Sequence, residues 1–203
     1  SHNIPFAVSE HVMTFLQGNR FSAFQKSAIE KSYQFAHSIV APSSVLGKHI
    51  ASQFIEFSSK IRIIPNPADF SEFQIKSNKK SPIFQFISVA GFRPEKRLDL
   101  LLKAFSMVHK IYNNTHLTLV GAGPLWKQIE KQILMLALTS AVTLKGHLNK
   151  QDVSKQLQNS NVFVLSSDVE TFGVAPIEAM ACGLPVLATN CGGPSDYITQ
   201  KTG

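Results

Sequence analysis

The sequence predicts an α/β fold built on parallel sheets, and two observations carry this prediction. Short apolar runs alternate with amphipathic stretches along most of the 203 residues, which is the pattern of strands and helices in βαβ units. The candidate strands are apolar along their whole length, which is typical of a parallel sheet covered on both faces. The pattern stops between Pro65 and Pro82 and then restarts, so the chain divides into two α/β pieces.

The spacing of apolar residues predicts the individual elements. In the first piece we expect strands at 5–9, 38–42 and 61–64, a helix over 43–56, and an earlier helix in which Phe24, Ala28, Ile29 and Phe35 keep helical spacing. In the second piece we expect strands at 83–89, 117–120, 142–144, 162–165 and 186–188. Helices are expected between them at 98–108, 126–136 and 175–182.

The stretch between the two pieces has the composition of an interdomain connection. Pro65, Asn66 and Pro67 open it, and a run of Ser, Lys and Asn follows over 77–81. We place the boundary at residue 76, which gives domains over 1–76 and 77–203. The first domain supplies about three strands, fewer than the usual five or six of a sheet. We therefore expect a piece of a longer protein, with its first domain incomplete and its second truncated at the C-terminus.

Composition excludes several classes of protein. An apolar share of 44% excludes a disordered chain, and no apolar run approaches the roughly 18 residues of a transmembrane helix. Cys182 and Cys191 cannot form a disulfide framework and lack metal-ligand spacing, which favours a reduced, cytoplasmic chain. The net charge of +7 favours anionic partners such as phosphate ligands, acidic lipid headgroups or nucleic acid. A solvated basic face explains that charge equally well.

The strongest candidate site follows the strand at 162–165. Gly173 allows a sharp turn into a helix, so the amides of Gly173, Val174 and Ala175 would be unpaired at a helix N-terminus, which favours an anion. Glu170 lies in the loop before this turn and Glu178 lies about one turn into the helix. An acidic residue before a helix is often only a cap, but the apolar neighbours of Glu178 mean that its carboxylate needs a partner.

A second candidate site follows the strand at 83–89. Lys96 would lie at the carboxyl edge of the sheet, where open α/β folds bind ligands, and a lysine there can neutralise a diphosphate. We assign the neighbouring Arg97 to surface solubility.

Two weaker signals are a glycine pair and a histidine. Gly121 and Gly123 follow a strand as in a nucleotide-binding turn, but the third glycine of a dinucleotide fingerprint is replaced by Trp126. A close crossing of helix and strand explains both glycines as well. His11 follows the strand at 5–9, and a lone histidine in such a place is more often structural.

Taken together, these segments resemble the retaining nucleotide-sugar glycosyltransferases of group 1, glycosyltransferase family 4, which have the GT-B fold. The resemblance runs from about residue 4 to 203. The matching segments are IRIIPNPADFSEF at 61–73, FISVAGFRPEKRLDLLLKAF at 86–105, LTLVGAGP at 117–124, VTLKGHL at 142–148 and ETFGVAPIEAMACGLPVLAT at 170–189. The last of these contains the family's Glu-x7-Glu motif as Glu170 and Glu178.

The resemblance implies two Rossmann-like domains facing across a cleft, the first on the acceptor side and the second binding the nucleotide sugar. Glu178 would hydrogen-bond the ribose, and the amides of Gly173, Val174 and Ala175 would bind the phosphates. The expected catalytic residues are Glu170 at the donor sugar, Lys96 at the departing diphosphate and His11, which resembles a histidine that the first domain places at the donor sugar. The further expected donor-binding residues are Phe172, Arg93 and Gly121, with His147 and Leu148 at the base.

The resemblance also implies the reaction and its partners. We expect a UDP- or GDP-sugar as donor, no metal, no other cofactor, and a glycan or lipid-linked acceptor in surface polysaccharide biosynthesis. The basic surplus suits peripheral contact with an anionic membrane at its cytoplasmic face, and we expect no nucleic acid partner. The family often has an arginine where this chain has Gly91, so either Arg93 reaches the diphosphate instead or the donor binds with a different geometry.

Two alternatives stay open on the sequence, a dinucleotide-dependent oxidoreductase and a non-catalytic nucleotide-sugar-binding module. We expect the 203-residue chain itself to bind donor weakly and to show little or no turnover.

Overall fold

A computed structural model describes residues 4–18, 21–75, 82–199 and 202. By the contacts between its residues the chain forms two units. The first contains the described residues of 1–67 together with Val169–Gly173 and Cys191–Tyr197, and the second contains the described residues of 68–168, 174–190 and 198–203. The predicted boundary at residue 76 lies outside the described residues.

The first unit is built on a three-stranded parallel sheet in the order β1-β2-β3. Its strands are β1 (Ala7–Ser9), β2 (Ser38–Ala41) and β3 (Ile61–Ile63), so all three predicted strands are confirmed. The helices are α1 (Ala23–Phe35) and α2 (Ser44–Gln53), and α2 is followed by a 3-10 turn over Ile55–Lys60. The core of this unit is aliphatic and aromatic, formed by Phe15, Tyr33, Ile39, Ala41, Leu46, Ile50 and Phe54.

Helix α1 is present as expected, but the spacing of its apolar residues does not describe its buried face. Phe24 and Phe35 are 84% and 65% exposed, whereas Tyr33 is fully buried. The helix begins because Ser22 and Gln25 form a capping box, which satisfies two backbone N–H groups of the first turn. At the other end of the helix, the Lys60 ammonium donates to the carbonyls of Tyr33, Gln34 and Ala36. Capping at both ends therefore compensates for the weak apolar stripe.

The second unit is built on a five-stranded parallel sheet in the order β6-β5-β4-β7-β8. All five strands were expected from the sequence: β4 (Phe84–Val89), β5 (Thr115–Val120), β6 (Val142–Gly146), β7 (Val162–Leu165) and β8 (Val186–Ala188). The chain builds outward from β4 to β6 and then crosses back to β7 on the other side of β4. Parallel strands with this crossover confirm the predicted α/β class and create a switch point between β4 and β7.

Four helices cover this sheet: α3 (Leu98–Ile111), α4 (Trp126–Met135), α5 (Lys150–Gln158) and α6 (Val174–Ala181). The sequence predicted α3, α4 and α6 but not α5. Within its nine residues only Val153 and Leu157 are apolar, which is too short a stripe to stand out. The Asn149 side chain caps the first turn by accepting from the Asp152 N–H, and both apolar residues are buried.

The segment that precedes the predicted boundary packs on α5. The Ser154 hydroxyl donates to the Glu72 carbonyl, the Gln158 amide donates to the Gln74 carbonyl, and Phe73 is buried. Among the described residues, no helix has both the length and the apolar character that a membrane span requires.

Candidate active site

The loops that follow β4 and β7 meet at the switch point of the second sheet. The Asp168 N–H donates to the Glu95 carbonyl and the Ser166 hydroxyl donates to the Lys96 carbonyl, both at 2.8 Å. The Arg97 guanidinium adds an ion pair with the Asp168 carboxylate at 3.0 Å. Ligands of open α/β sheets bind beside loops of this kind, at the carboxyl ends of the strands. These contacts hold the backbone of Lys96 at the carboxyl edge of the sheet.

Arg97 was assigned to solubility from the sequence, and this assignment was wrong. Its backbone has φ 47°, a left-handed conformation that a non-glycine residue adopts only under constraint. Its side chain bonds both Asp99 and Asp168, and these carboxylates raise the pKa of the guanidinium. Arg97 thus fixes the turn that presents the half-buried Lys96. No local sequence pattern indicates such a pairing, because Asp168 is distant in the chain.

Helix α6 presents two amides and one carboxylate that have no partner among the residues the structure describes. The N–H groups of Val174 and Ala175 in its first turn donate to no other described residue, and the third residue, Pro176, has no N–H. Glu178 lies in the next turn, and its half-buried carboxylate forms no hydrogen bond or ion pair with any described residue. Burial raises the pKa of Glu178, and the nearby charge of Lys150 opposes this only in part. This end of α6 can therefore accept an anionic group and a hydroxyl donor together.

Glu170 belongs to the first unit and its backbone is held on both sides. Its N–H donates to the Cys191 carbonyl at 2.7 Å, and its carbonyl accepts from the Gly193 N–H at 2.9 Å. Gly193 has to be glycine, because a Cβ there would lie 2.3 Å from the Thr171 carbonyl oxygen. Only 8% of Glu170 is exposed, so the carboxylate has little freedom of position.

Tyr197 fixes the rest of this loop. Its ring lies 5.7 Å from the ring of the buried Phe172, and its hydroxyl donates to the carbonyls of Phe172 and Gly173. Gly173 has φ 82°, which confirms the predicted sharp turn before α6. No local pattern in the sequence indicates this role for Tyr197.

Asp196 is a second residue of this segment that the sequence analysis missed. Its carboxylate accepts from the Ser44 backbone N–H at 2.6 Å and from the Ser44 hydroxyl at 2.5 Å. Ser44 is the first residue of α2, so the carboxylate lies at the positive end of that helix. Asp196 therefore anchors the segment that holds the backbone of Glu170.

His11 lies just after β1, exposed, with its Nε2 atom 2.9 Å from the Ser9 hydroxyl. The neighbouring Glu10 is directed to the core side, where its carboxylate accepts from the Tyr33 hydroxyl at 2.9 Å. Burial raises the pKa of Glu10, and burial beside that carboxylate raises the pKa of Tyr33 far above its usual range. His11 is thus an accessible polar group at this end of β1.

The glycine pair after β5 has a packing role. A Cβ on Gly121 would lie 1.9 Å from the Ala90 carbonyl oxygen, and one on Gly123 would lie 2.5 Å from the Phe92 carbonyl oxygen. The Gly121 N–H donates to the Gly146 carbonyl at 2.8 Å, so it is already used within the protein. The close approach of the backbones accounts for both glycines, and a dinucleotide-binding role is not needed to explain them.

The remaining expected donor-binding residues lie in the loops after β4 and β6. Arg93 and His147 are exposed, and Leu148 is half-buried. Among the described residues, no group of three or more His, Cys, Asp or Glu side chains could hold a metal ion.

Comparisons with known proteins agree on one family. The family model "Glycosyl transferases group 1" matches residues 69–203. An uncharacterized glycosyltransferase of Methanocaldococcus jannaschii is 30% identical over 83% of this chain and 44% of its own length. Sulfoquinovosyl transferase SQD2 of Arabidopsis thaliana is 26% identical over 99% of this chain and 42% of its own length. The chain thus spans less than half the length of these relatives.

The fold is shared with solved glycosyltransferases. A mutant of S. aureus TarM, solved with fondaparinux, alpha-GlcNAc-glycerol and UDP, superposes with a TM-score of 0.79 at 24% identity, over 97% of this chain and 39% of that one. This likeness confirms the expected GT-B type of architecture. With the family model covering the whole second sheet and its site, the chain belongs to the group 1 glycosyltransferases.

Proposed function

We propose that the whole protein transfers a sugar from a nucleoside diphosphate sugar, UDP- or GDP-linked, to a glycan or lipid-linked acceptor with retention of anomeric configuration. The observation that carries the proposal is Glu178, a half-buried carboxylate without a described protein partner beside two unpaired amides of α6. A buried carboxylate is costly unless a ligand uses it. Family membership supplies the class of ligand.

Each candidate residue has a proposed role that the family resemblance implies and that its local geometry supports. Glu178 accepts hydrogen bonds from the ribose hydroxyls, and the first turn of α6 binds the diphosphate. Lys96, on the turn fixed by Arg97, stabilises the negative charge that develops on the leaving diphosphate. Glu170, with its fixed backbone, contacts the donor sugar, and His11 contributes a hydrogen-bonding group from the first unit.

We further propose that the acceptor belongs to surface polysaccharide biosynthesis and that the protein works on the cytoplasmic side of a membrane. The TarM complex contains UDP together with fondaparinux and alpha-GlcNAc-glycerol, which supports a nucleotide-sugar donor and a glycan acceptor. The net charge of +7 supports contact with anionic lipid.

The division of roles is tested by donor turnover with the whole protein, measured as nucleoside diphosphate released from a panel of UDP- and GDP-sugars. Glu170→Gln is expected to lower turnover by about a hundredfold or more while the nucleotide affinity stays within about twofold. The matched control is Glu72→Gln, an exposed glutamate outside the 169–173 loop. An equal loss of nucleotide affinity in Glu170→Gln would contradict the assignment. NMR of the product's anomeric proton then tests retention.

A further inference from the structure

A second surface of the molecule is formed by the outer faces of α3 and α4. These helices follow the neighbouring parallel strands β4 and β5, and right-handed crossovers place them side by side on one face of the sheet. Both run in the same direction, opposite to the strands. Their C-terminal turns therefore lie at the amino edge of the sheet, away from the loops that carry Lys96.

The outer faces expose large apolar side chains at these C-terminal turns. Met107 and Ile111 on α3, and Leu134 and Met135 on α4, each expose about two thirds or more of their surface. Met107 and Ile111 are one helical turn apart, so they form a continuous stripe. The inner faces of both helices already supply the core with Leu101, Leu102, Phe105, Ile129 and Ile133. The four exposed apolar side chains are therefore not part of the hydrophobic core that stabilises this unit.

Lysines lie on the same outer faces as these apolar side chains. Lys103 and Lys110 on α3, and Lys127 and Lys131 on α4, are exposed and form no ion pair with a described residue. Over residues 100–151 the chain has six lysines and a single acidic residue, Glu130. A face of this kind has the combination that anionic lipid surfaces attract, which is aliphatic side chains flanked by lysines.

We propose that the outer face of α3 and α4 docks on an anionic phospholipid surface, with the four apolar side chains entering the headgroup region and the four lysines contacting lipid phosphates. A second copy of the chain fits this face poorly, because two surfaces of the same positive charge repel. Nucleic acid fits poorly as well, since its charged phosphate backbone makes no favourable contact with exposed methionine and leucine side chains. The inference specifies the surface for the membrane contact included in the proposed function, and its test needs no transferase activity.

The experiment is flotation of the chain with vesicles of phosphatidylcholine alone and of phosphatidylcholine mixed with phosphatidylglycerol. We expect binding only to the anionic vesicles. The double variant Lys103→Gln/Lys110→Gln should lower the partition coefficient about twenty-five-fold, since each lysine near an anionic surface contributes about fivefold. The variant Met107→Gln/Met135→Gln, which keeps side-chain length and helix propensity, should lower it at least about fivefold.

The matched control is Lys31→Gln/Lys48→Gln, which removes two exposed lysines from the first unit. It should leave binding within about twofold, and every variant should keep the parent melting temperature. Equal loss in the control, or equal binding to neutral vesicles, would overturn the proposal. Binding of RNA that depends on Lys103 and Lys110, with no vesicle binding, would also overturn it and assign the face to nucleic acid.

Discussion

Glu178 shows how a single residue of this site connects stability with function. Its carboxylate is half-buried and has no described hydrogen-bond partner, and burial raises its pKa above the ordinary value of 4.5. A group whose pKa is higher in the folded state favours folding while it is protonated. That contribution is lost as the pH rises through the folded-state pKa. At neutral pH the ionised side chain therefore costs stability, as expected of a residue kept for a ligand.

Replacement of this carboxylate should raise stability. We expect Glu178→Gln to increase the free energy of unfolding at pH 7 by no more than about 1 kcal/mol, because solvent screens a half-buried charge. The gain should shrink as the pH falls through the raised folded-state pKa and vanish below 4.5, where the parent side chain becomes protonated in both states. Urea unfolding at several pH values measures this. A loss of stability at pH 7 would mean that Glu178 has a structural partner.

Residue-level prediction from the sequence succeeded where a local pattern carries the information. Gly173 precedes a helix and Glu178 stands among apolar neighbours, and the structure confirms both the turn and the burial. Arg97 and Asp196 were misjudged or missed because their partners, Asp168 and Ser44, are 71 and 152 residues away in the chain. A single sequence contains no signal for such pairs.

At the scale of elements, the loops at the carboxyl edge of the second sheet are held together by backbone contacts. The turns after β4 and β5 bond through Ala90 and Phe92, and Gly121 continues this pairing to β6. These contacts require the absence of a side chain at Gly121, whose φ is 127°. The pair of glycines therefore sets the position of the β4 turn and so of Lys96.

Gly121→Ala is expected to be severely destabilising, by about 3 kcal/mol or more, because the new Cβ would overlap the Ala90 carbonyl oxygen and the backbone would be strained. Gly91→Ala is the matched control in the adjoining turn, since its nearest atom would be 3.9 Å away. We expect the control to change stability by less than about 1 kcal/mol. Thermal unfolding of both variants measures the difference, and tolerance of Gly121→Ala would contradict the packing role.

The 191–197 segment depends on its anchor to α2. Asp196→Ala removes the acceptor for the Ser44 N–H and hydroxyl, so we expect the free energy of unfolding to fall by about 1 kcal/mol. Donor turnover should fall with it, because this segment holds the backbone of Glu170. Ser195→Ala is the control, since the Ser195 hydroxyl bonds only locally, to the Gly192 carbonyl. Unchanged donor turnover in Asp196→Ala would show that the contact between Asp196 and Ser44 does not determine the position of Glu170.

The strands were the easiest elements to predict from the sequence. All eight described strands lie in short apolar runs, and such runs can be recognised without knowledge of the residues that pack against them. Helix α5 was missed because its stability comes from tertiary contacts of Val153 and Leu157 and from the Asn149 cap. The spacing of Phe24 and Phe35 in α1 predicted a buried face, but both side chains are exposed. The reason is the same, because tertiary packing and capping decide which face of this helix is buried.

At the scale of the whole molecule, the chain passes repeatedly between its two units. The stretches 169–173 and 191–197 belong to the first unit, although the strands that precede them, β7 and β8, belong to the second. Glu170 and Glu178 are consequently held by different units despite their spacing of eight residues. The two carboxylates of one short sequence motif therefore belong to different structural units.

The most direct test of the account is a calorimetric titration of UDP and GDP into the folded chain, with Glu178→Gln and the control Glu130→Gln, an exposed glutamate on α4. We expect saturable binding of one nucleotide, weakened about tenfold or more by Glu178→Gln and unchanged by Glu130→Gln, because the loss of hydrogen bonds to a charged group costs about 1.5–3 kcal/mol. Binding that survives Glu178→Gln, or a folded chain that binds NADPH and neither nucleotide at millimolar concentration, would contradict the assignment of this site.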